Sequence, residues 1–197
     1  MQPYRWVVEN GTRVDLDGFA SAFSRAWSEL TSRFLKVECW QSYREGETNA
    51  SQDAYERGDL RRARELLEKE AEADRPLYAD VRERGIEFAR IRVVREPLTD
   101  YLRYELMSYR IRAEMGENIE VVRADPGMPL PNEEIFDFLL FDRSIALVHD
   151  YGQGRTGAQT GGWLVRDAHV LRELEDRAVA LRDGAAPLGR FLAETDR

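Results

Sequence analysis

The chain has 197 residues, 43% apolar and 34% charged, with a formal net charge of −8. That length and apolar share suit a single domain with a sizeable core, while the acidic balance argues against sequence-independent nucleic-acid binding, which needs a cationic footprint. A lone cysteine, Cys39, excludes an intramolecular disulfide; no apolar run reaches membrane-spanning length and MQPYRWVVENG lacks a secretory apolar stretch, so a cytoplasmic protein with no membrane association is expected.

In chain order, YRWVV (4–8) reads as a short strand stopped by the turn dipeptide Asn10-Gly11. Residues 15–30 show helical spacing (Leu16, Phe19, Phe23, Ala26, Trp27, Leu30), with Asp15 or Asp17 as N-cap. RFLKVECW (33–40) reads as a strand, with Cys39 as a small buried apolar residue, and residues 41–49 as a polar loop. A short helix over 51–56 ends at Gly58. Asp59 caps a long charged helix with a narrow apolar stripe (Leu60, Ala63, Leu66, Leu67, Ala71), expected to lie solvated on the core or to bind a partner. Pro76 opens a further helical piece, closed by Gly85.

IEFARIRVV (86–94) alternates as a strand. Arg95 to Leu98 form a turn, Thr99 is an N-cap, and a helix runs to about Met115, ended by Gly116. IEVV (119–122) completes a βαβ unit. Residues 135–151 read as two strands turning at Asp142-Arg143. Gly152-Gln153-Gly154 turns into a strand over 156–165, Asp167 caps a helix ended by Gly184, and 187–194 form a last short helix. The predicted fold is α+β or α/β: a mixed β-sheet with one βαβ unit and a C-terminal β-meander, flanked by helices, with an α-rich N-terminal half. It is read as one domain, 1–197, in which 1–84 elaborate a βαβ-ββα core at 85–197.

Several chemistries are missing. No Gly-Lys pair exists, so no Walker phosphate loop is present. GQGRTG (152–157) has glycines at dinucleotide-fingerprint spacing but opens no helix, and reads as a hairpin turn. Cys39, His149 and His169 are scattered, so neither a metal site nor a cofactor is expected. There is no Gly-x-Ser-x-Gly elbow. His149-Asp150 is the best acid/base candidate, although neighbours on a strand point to opposite faces.

Ligands of open α/β sheets sit at the carboxyl ends of strands, the place of the Arg95–Thr99 turn. The candidate ligand- or partner-binding residues are therefore Arg92, Arg95, Asp100, Tyr101, Arg103, Tyr104, Glu105 and His149, with an arginine holding a carboxylate or phosphate. The alternative is an ion-pair network that pins the helix. No catalytic residue is assigned.

VVREPLTDYLRYELMSYRIRAEMGENIEVV resembles the signature region of an uncharacterised actinobacterial domain family: a strand, Pro97-Leu98-Thr99, Tyr101-Leu102, Glu105-Leu106 and Gly116-Glu117. AYERGDLRRARELLE and DYGQGRTGA are similar to the same family, so the resemblance covers roughly residues 34–192. It implies a protein without assigned activity, commonly encoded beside helix-turn-helix regulators. The element order over 86–183 also resembles half of a phospholipase D-like fold. That superfamily's chemistry needs His-x-Lys; here Tyr151 stands two after His149, Leu171 two after His169, and no lysine follows Lys69.

The leading expectation is a non-enzymatic regulatory or protein-interaction protein, with a helix-turn-helix regulator as partner and scope for self-association. The alternatives are a sensor or enzyme for a phosphate- or carboxylate-bearing ligand beside Arg95–Arg103, and nucleic-acid binding through an arginine face.

Overall fold

The computed structural model describes residues 4–42, 49–152 and 158–195. Helix α1 (Arg5–Asn10) leads into β1 (Gly11–Val14), α2 (Leu16–Glu29) and β2 (Arg33–Glu38). Helices α3 (Ala50–Glu56), α4 (Leu60–Glu72) and α5 (Arg75–Glu83) precede β3 (Glu87–Val94), α6 (Asp100–Glu114) and β4 (Ile119–Arg123). The remainder is β5 (Phe138–Phe141), β6 (Ile145–Asp150), β7 (Gly161–Val165), α7 (Ala168–Asp183), β8 (Ala186–Pro187) and α8 (Leu188–Thr195).

The strands form one mixed sheet in the order β1-β7-β6-β5-β2-β3-β4-β8. The expected βαβ unit is β3-α6-β4, and β5-β6-β7 are the expected antiparallel meander. A second parallel crossover joins β2 to β3, with α3, α4 and α5 as the connection. Strand β2 therefore sits mid-sheet, bonded to β3 on one side and to β5 on the other. Both its faces are covered, with Phe34 and Leu35 buried on opposite sides, as a central strand requires. Residues 33–38 thus supply a strand at the sheet's centre.

Three local expectations are corrected. YRWVV is helical: the amides of Val7 and Val8 both donate to the Tyr4 carbonyl, and Tyr4 stacks on Phe136, so tertiary packing overrides strand propensity. Asn10-Gly11 is consequently a helix-to-strand junction, with Gly11 opposite Val165. Of the strand expected over 156–165, the described residues 158–165 form it only at Gly161–Val165; residues 153–157, which include its first two positions and most of the Gly-rich turn, lie outside the described residues, as do 43–48 of the polar loop. Pro187 belongs to the two-residue edge strand β8 rather than to the last helix, a place where a missing N–H is tolerated.

The caps follow the sequence closely. Asp15, Asn49, Asp59, Thr99 and Asp167 accept backbone N–H bonds at the starts of α2, α3, α4, α6 and α7. The narrow stripe of α4 (Ala63, Leu67, Ala71) is buried against α6, with Leu67 and Ala71 packed on Tyr104 and Ile111. That use leaves α4 as a solvated helix on the core and spends its apolar face internally. Its outer face carries ion pairs such as Arg64–Glu68 at 2.9 Å.

The β5–β6 turn is fastened to the start of β2 by Asp142. Its carboxylate accepts the amides of Thr31 (2.9 Å), Ser32 (2.9 Å) and Arg33 (2.8 Å) and both neighbouring hydroxyls. Its φ of 49° is in the left-handed region, which Asp and Asn tolerate better than most residues. Desolvation opposes ionisation, but the Ser32 hydroxyl and the three amides outweigh it and bring the Asp142 pKa down to about 2. A carboxyl whose folded pKa lies below its unfolded value of about 3.9 adds stability that is present above pH 4 and lost as pH falls toward 2. Asp142→Asn, which keeps the left-handed tolerance but not the charge, should cost about 1–2 kcal/mol at neutral pH and flatten the acid limb of the stability curve between pH 4 and 2. Urea titrations of both proteins across that window test it; identical slopes would show that Asp142 is not the group responsible.

Two layers cover the sheet. On one face α7 and α1 pack on Leu35, Val37, Ala89, Ile91, Phe138 and Leu140. On the other, α2 covers an aromatic cluster around Phe34 and Phe141, while α6 and α8 cover Val94, Ile119 and Val121. Between α2 and α6 this second face is left open, and the functional candidate lies there.

Candidate ligand cavity

Strand register arranges the side chains of this open face in three rows. The first is apolar: Phe88, Phe34, Phe141 and Ile145 stand side by side on β3, β2, β5 and β6. The second is mixed: Arg90, Lys36, Leu139 and Leu147. The third is polar: Arg92 lies beside Glu38, and beyond it the Asp137 carbonyl accepts the amide of His149. Polarity thus rises toward the carboxyl ends of β2 and β3, where open α/β sheets place ligands. A cavity of about 400 Å³ opens over these rows, within the range of small-molecule sites. Helix α6 contributes Tyr101, Tyr104, Glu105, Ser108 and Tyr109 from one face, at helical i, i+3 and i+4 spacing, and Trp40, Asp137 and Tyr151 complete the polar end.

Most of its charges are satisfied internally. Arg90 donates to Glu117 (2.6 Å) and Glu38 (2.9 Å) and lies over the Tyr109 ring at 4.9 Å. Lys36 pairs with Glu38 at 2.8 Å, and the Tyr109 hydroxyl donates to the same carboxylate at 2.7 Å. Burial pushes the Glu38 pKa up, but the guanidinium of Arg90, with Lys36 and Arg92, holds it well below the ordinary carboxylate range. The Tyr78 hydroxyl donates to Glu117. Arg112 pairs with Asp74 at 3.1 Å. The Asp137 carboxylate accepts the Cys39 amide at 2.6 Å and the Tyr151 hydroxyl. Burial beside Asp137 drives the Cys39 thiol pKa well up, so Cys39 is an inert core residue.

Among the described residues, three cavity groups have polar atoms that this network does not pair. Arg92 is 2% exposed and, although it lies beside Glu38, forms no ion pair among them; its guanidinium donates to the Trp40 carbonyl while Nε has no partner. Glu105 is 7% exposed and lines the same space with no hydrogen bond or ion pair among them. His149 Nδ1 is buried without a partner. Desolvation lowers the His149 pKa against the opposing field of Asp137, so the imidazole is neutral at pH 7. Such groups are costly unless something outside the chain completes them.

Of the residues singled out from sequence, Arg92, Tyr101, Tyr104, Glu105 and His149 line the cavity. Arg95, Asp100 and Arg103 do not. The Arg95–Thr99 turn is closed by Gln41: its side chain donates to Val93 O and accepts from the Arg95 amide, and its carbonyl accepts from the Thr99 hydroxyl. The Arg95 guanidinium is turned to the Met128 carbonyl at 3.1 Å. Asp100 is exposed in the first turn of α6, and Arg103 faces a separate groove with Arg64 and Arg110. The open space is therefore one step down the strand from the turn. His149 and Asp150 do diverge: Asp150 pairs with Arg13 at 2.6 Å. Lys36, Glu38, Arg90 and Trp40 are cavity residues that sequence reasoning missed. Lys36 and Glu38 share the parity of Phe34 on an imperfectly alternating strand, and that parity was the available signal.

Among the described residues no group of three or more His, Cys, Asp or Glu side chains is placed to hold a metal ion, and no helix is long and apolar enough to cross a membrane.

The chain is similar to NUC, a phospholipase D family member from Salmonella typhimurium, at 9% identity over 85% of this chain and 89% of that one, with a TM-score of 0.47. It is also similar to TrmBL2, an archaeal chromatin protein, at 10% identity over 89% of this chain and 53% of that one, with a TM-score of 0.42. No curated protein matches. The family defined as a domain of unknown function, DUF6879, matches residues 21–193, and this chain belongs to it.

Proposed function

We propose that this protein is a small-molecule sensor whose cavity binds a ligand through a carboxylate or phosphate held by Arg92. The observation that carries the reading is an arginine 2% exposed, lining a cavity, with no carboxylate in ion-pair contact. An arginine in such a place is stabilised by an anion arriving from solution, and its planar fork suits carboxylate and phosphate oxygens. The resemblance of the 93–122 segment to proteins encoded beside helix-turn-helix regulators supports a regulatory output through such a partner in the bacterial cytoplasm. The absence of a recognisable nucleophile motif in the sequence favours sensing over turnover.

Arg92→Met separates binding from stability. A buried guanidinium that feels the Glu38 charge but forms no ion pair among the described residues contributes little to folding, so the variant should be about as stable as the parent. The parent should gain stability from its ligand: at a concentration of 100 Kd the gain is about 2.7 kcal/mol, or a Tm rise of roughly 5–10 °C for a chain this size. Thermal-shift titration with inorganic phosphate and a panel of carboxylic acids tests this. A rise in the parent that Arg92→Met abolishes supports the reading; equal rises in both proteins, or none in the parent, would overturn it.

A further inference from the structure

We infer that the ligand is an α-amino acid, or a closely related amino-bearing acid, with its carboxylate on Arg92 and its ammonium on Glu105. The inference rests on Arg92 being the anion anchor and adds the second charge.

Arg92 and Glu105 carry opposite charges, face the same cavity, and are 2% and 7% exposed. Glu38 of β2, which lies beside Arg92, and then Glu105 are both near enough for their charge to act on the Arg92 guanidinium, yet among the described residues neither forms an ion pair with it. Arg90, the neighbouring buried arginine of this face, does close into contact, with Glu38 and Glu117. A gap between two buried opposite charges is costly, because each is desolvated without a contact partner of opposite charge.

The three simple ligand classes fill that gap differently. A plain anion neutralises Arg92 but sets a second negative charge beside Glu105. A plain amine satisfies Glu105 and repels Arg92. A zwitterion completes both, offering two acceptor oxygens to the guanidinium fork and three ammonium donors to the carboxylate. The cavity volume of about 400 Å³ leaves room for a side chain beyond the α-carbon. From Arg92 on β3 the polar row leads across the sheet to His149 on β6, three strand spacings of about 4.8 Å away. The unpartnered Nδ1 of the neutral His149 then selects a side chain that ends in a hydrogen-bonding group.

The test is a binding panel on the full chain by calorimetry and thermal shift. The probes are the twenty L-amino acids, the deaminated acid of each one that binds, and the corresponding decarboxylated amine. At least one amino acid should bind, and its deaminated and decarboxylated forms should each bind at least tenfold more weakly. Glu105→Gln should erase the preference for the amino acid over the deaminated acid while keeping the acid's affinity; Arg92→Met should lose both. If deaminated acids bind as well as the amino acids, the zwitterion assignment falls and anion sensing stands. If amines bind without their carboxylate, the assignment also falls. If neither acids nor amino acids bind, both readings fall. The parent panel decides even if the Glu105 variant does not fold.

Discussion

Replacing Arg90 with alanine should destabilise the protein by about 3–5 kcal/mol, the cost of leaving buried charges without their partner. Among the described residues Arg90 is the only cation in contact with Glu117, whose side chain is fully buried, and it shares Glu38 with Lys36. Without it, two carboxylates remain under α6 with one ammonium between them. The loss should depend on pH in a defined sense. Glu38 has its pKa held below the ordinary value, so its contribution is present above about pH 4.3 and is lost as pH falls through that region. The Arg90→Ala deficit should therefore be largest at neutral pH and shrink as Glu38 protonates. Denaturant unfolding at pH 7 and pH 3 measures both numbers. A deficit under 1 kcal/mol at pH 7, or one that grows on acidification, would mean that the network does not hold the cavity wall.

Phe34→Ala is expected to cost a similar amount, about 3–5 kcal/mol, as for other buried aromatic truncations. Phe34 is 2% exposed and meets Phe141 at 4.8 Å, Phe88 at 5.1 Å and Trp27 at 5.4 Å between ring centroids. It is the residue through which β2, β3, β5 and α2 share one core. Its neighbours belong to different strands and cannot all collapse into the space. For a chain of this length the Tm should fall by roughly 10 °C. Phe34→Leu should recover most of the loss, since volume is largely kept. The readout is thermal unfolding followed by near-UV circular dichroism; a fall below 2 °C for the alanine variant would show that α2 does not dock on this cluster.

The two positions frame the cavity. Phe34 makes its apolar floor and Arg90 its polar wall, so rigidity of the site is supplied by residues that do not themselves wait for a ligand. Arg92 and Glu105 stand on that frame without an ion pair among the described residues, a local cost to stability of the kind expected where binding is served. The ordered contrast between Arg90, fully paired, and Arg92, two residues on and facing the same side without an ion pair, is the clearest sign of a site in the molecule.

The caps at Asp15, Asp59, Thr99 and Asp167, the β3-α6-β4 unit and the β5–β6 hairpin were legible from the residues, because each is set by neighbours within a few positions. So were five of the cavity residues, since Arg92 lies at a strand end and Tyr101, Tyr104 and Glu105 fall on one helix face. What sequence could not give was pairing at a distance. YRWVV has strand propensity, but Phe136, far along the chain, provides the surface that makes it a helix. The turn at Arg95–Thr99 looked open because Gln41, more than fifty positions earlier, is what closes it. Lys36, Glu38 and Arg90 became a site only when β2 was placed between β3 and β5, for register across three strands decides which charges meet. By itself the sequence determined most of the elements and helix caps and the lack of familiar catalytic motifs. The tertiary structure decided which charges are paired and which are left facing a cavity, because that depends on contacts between strands and helices remote in the chain.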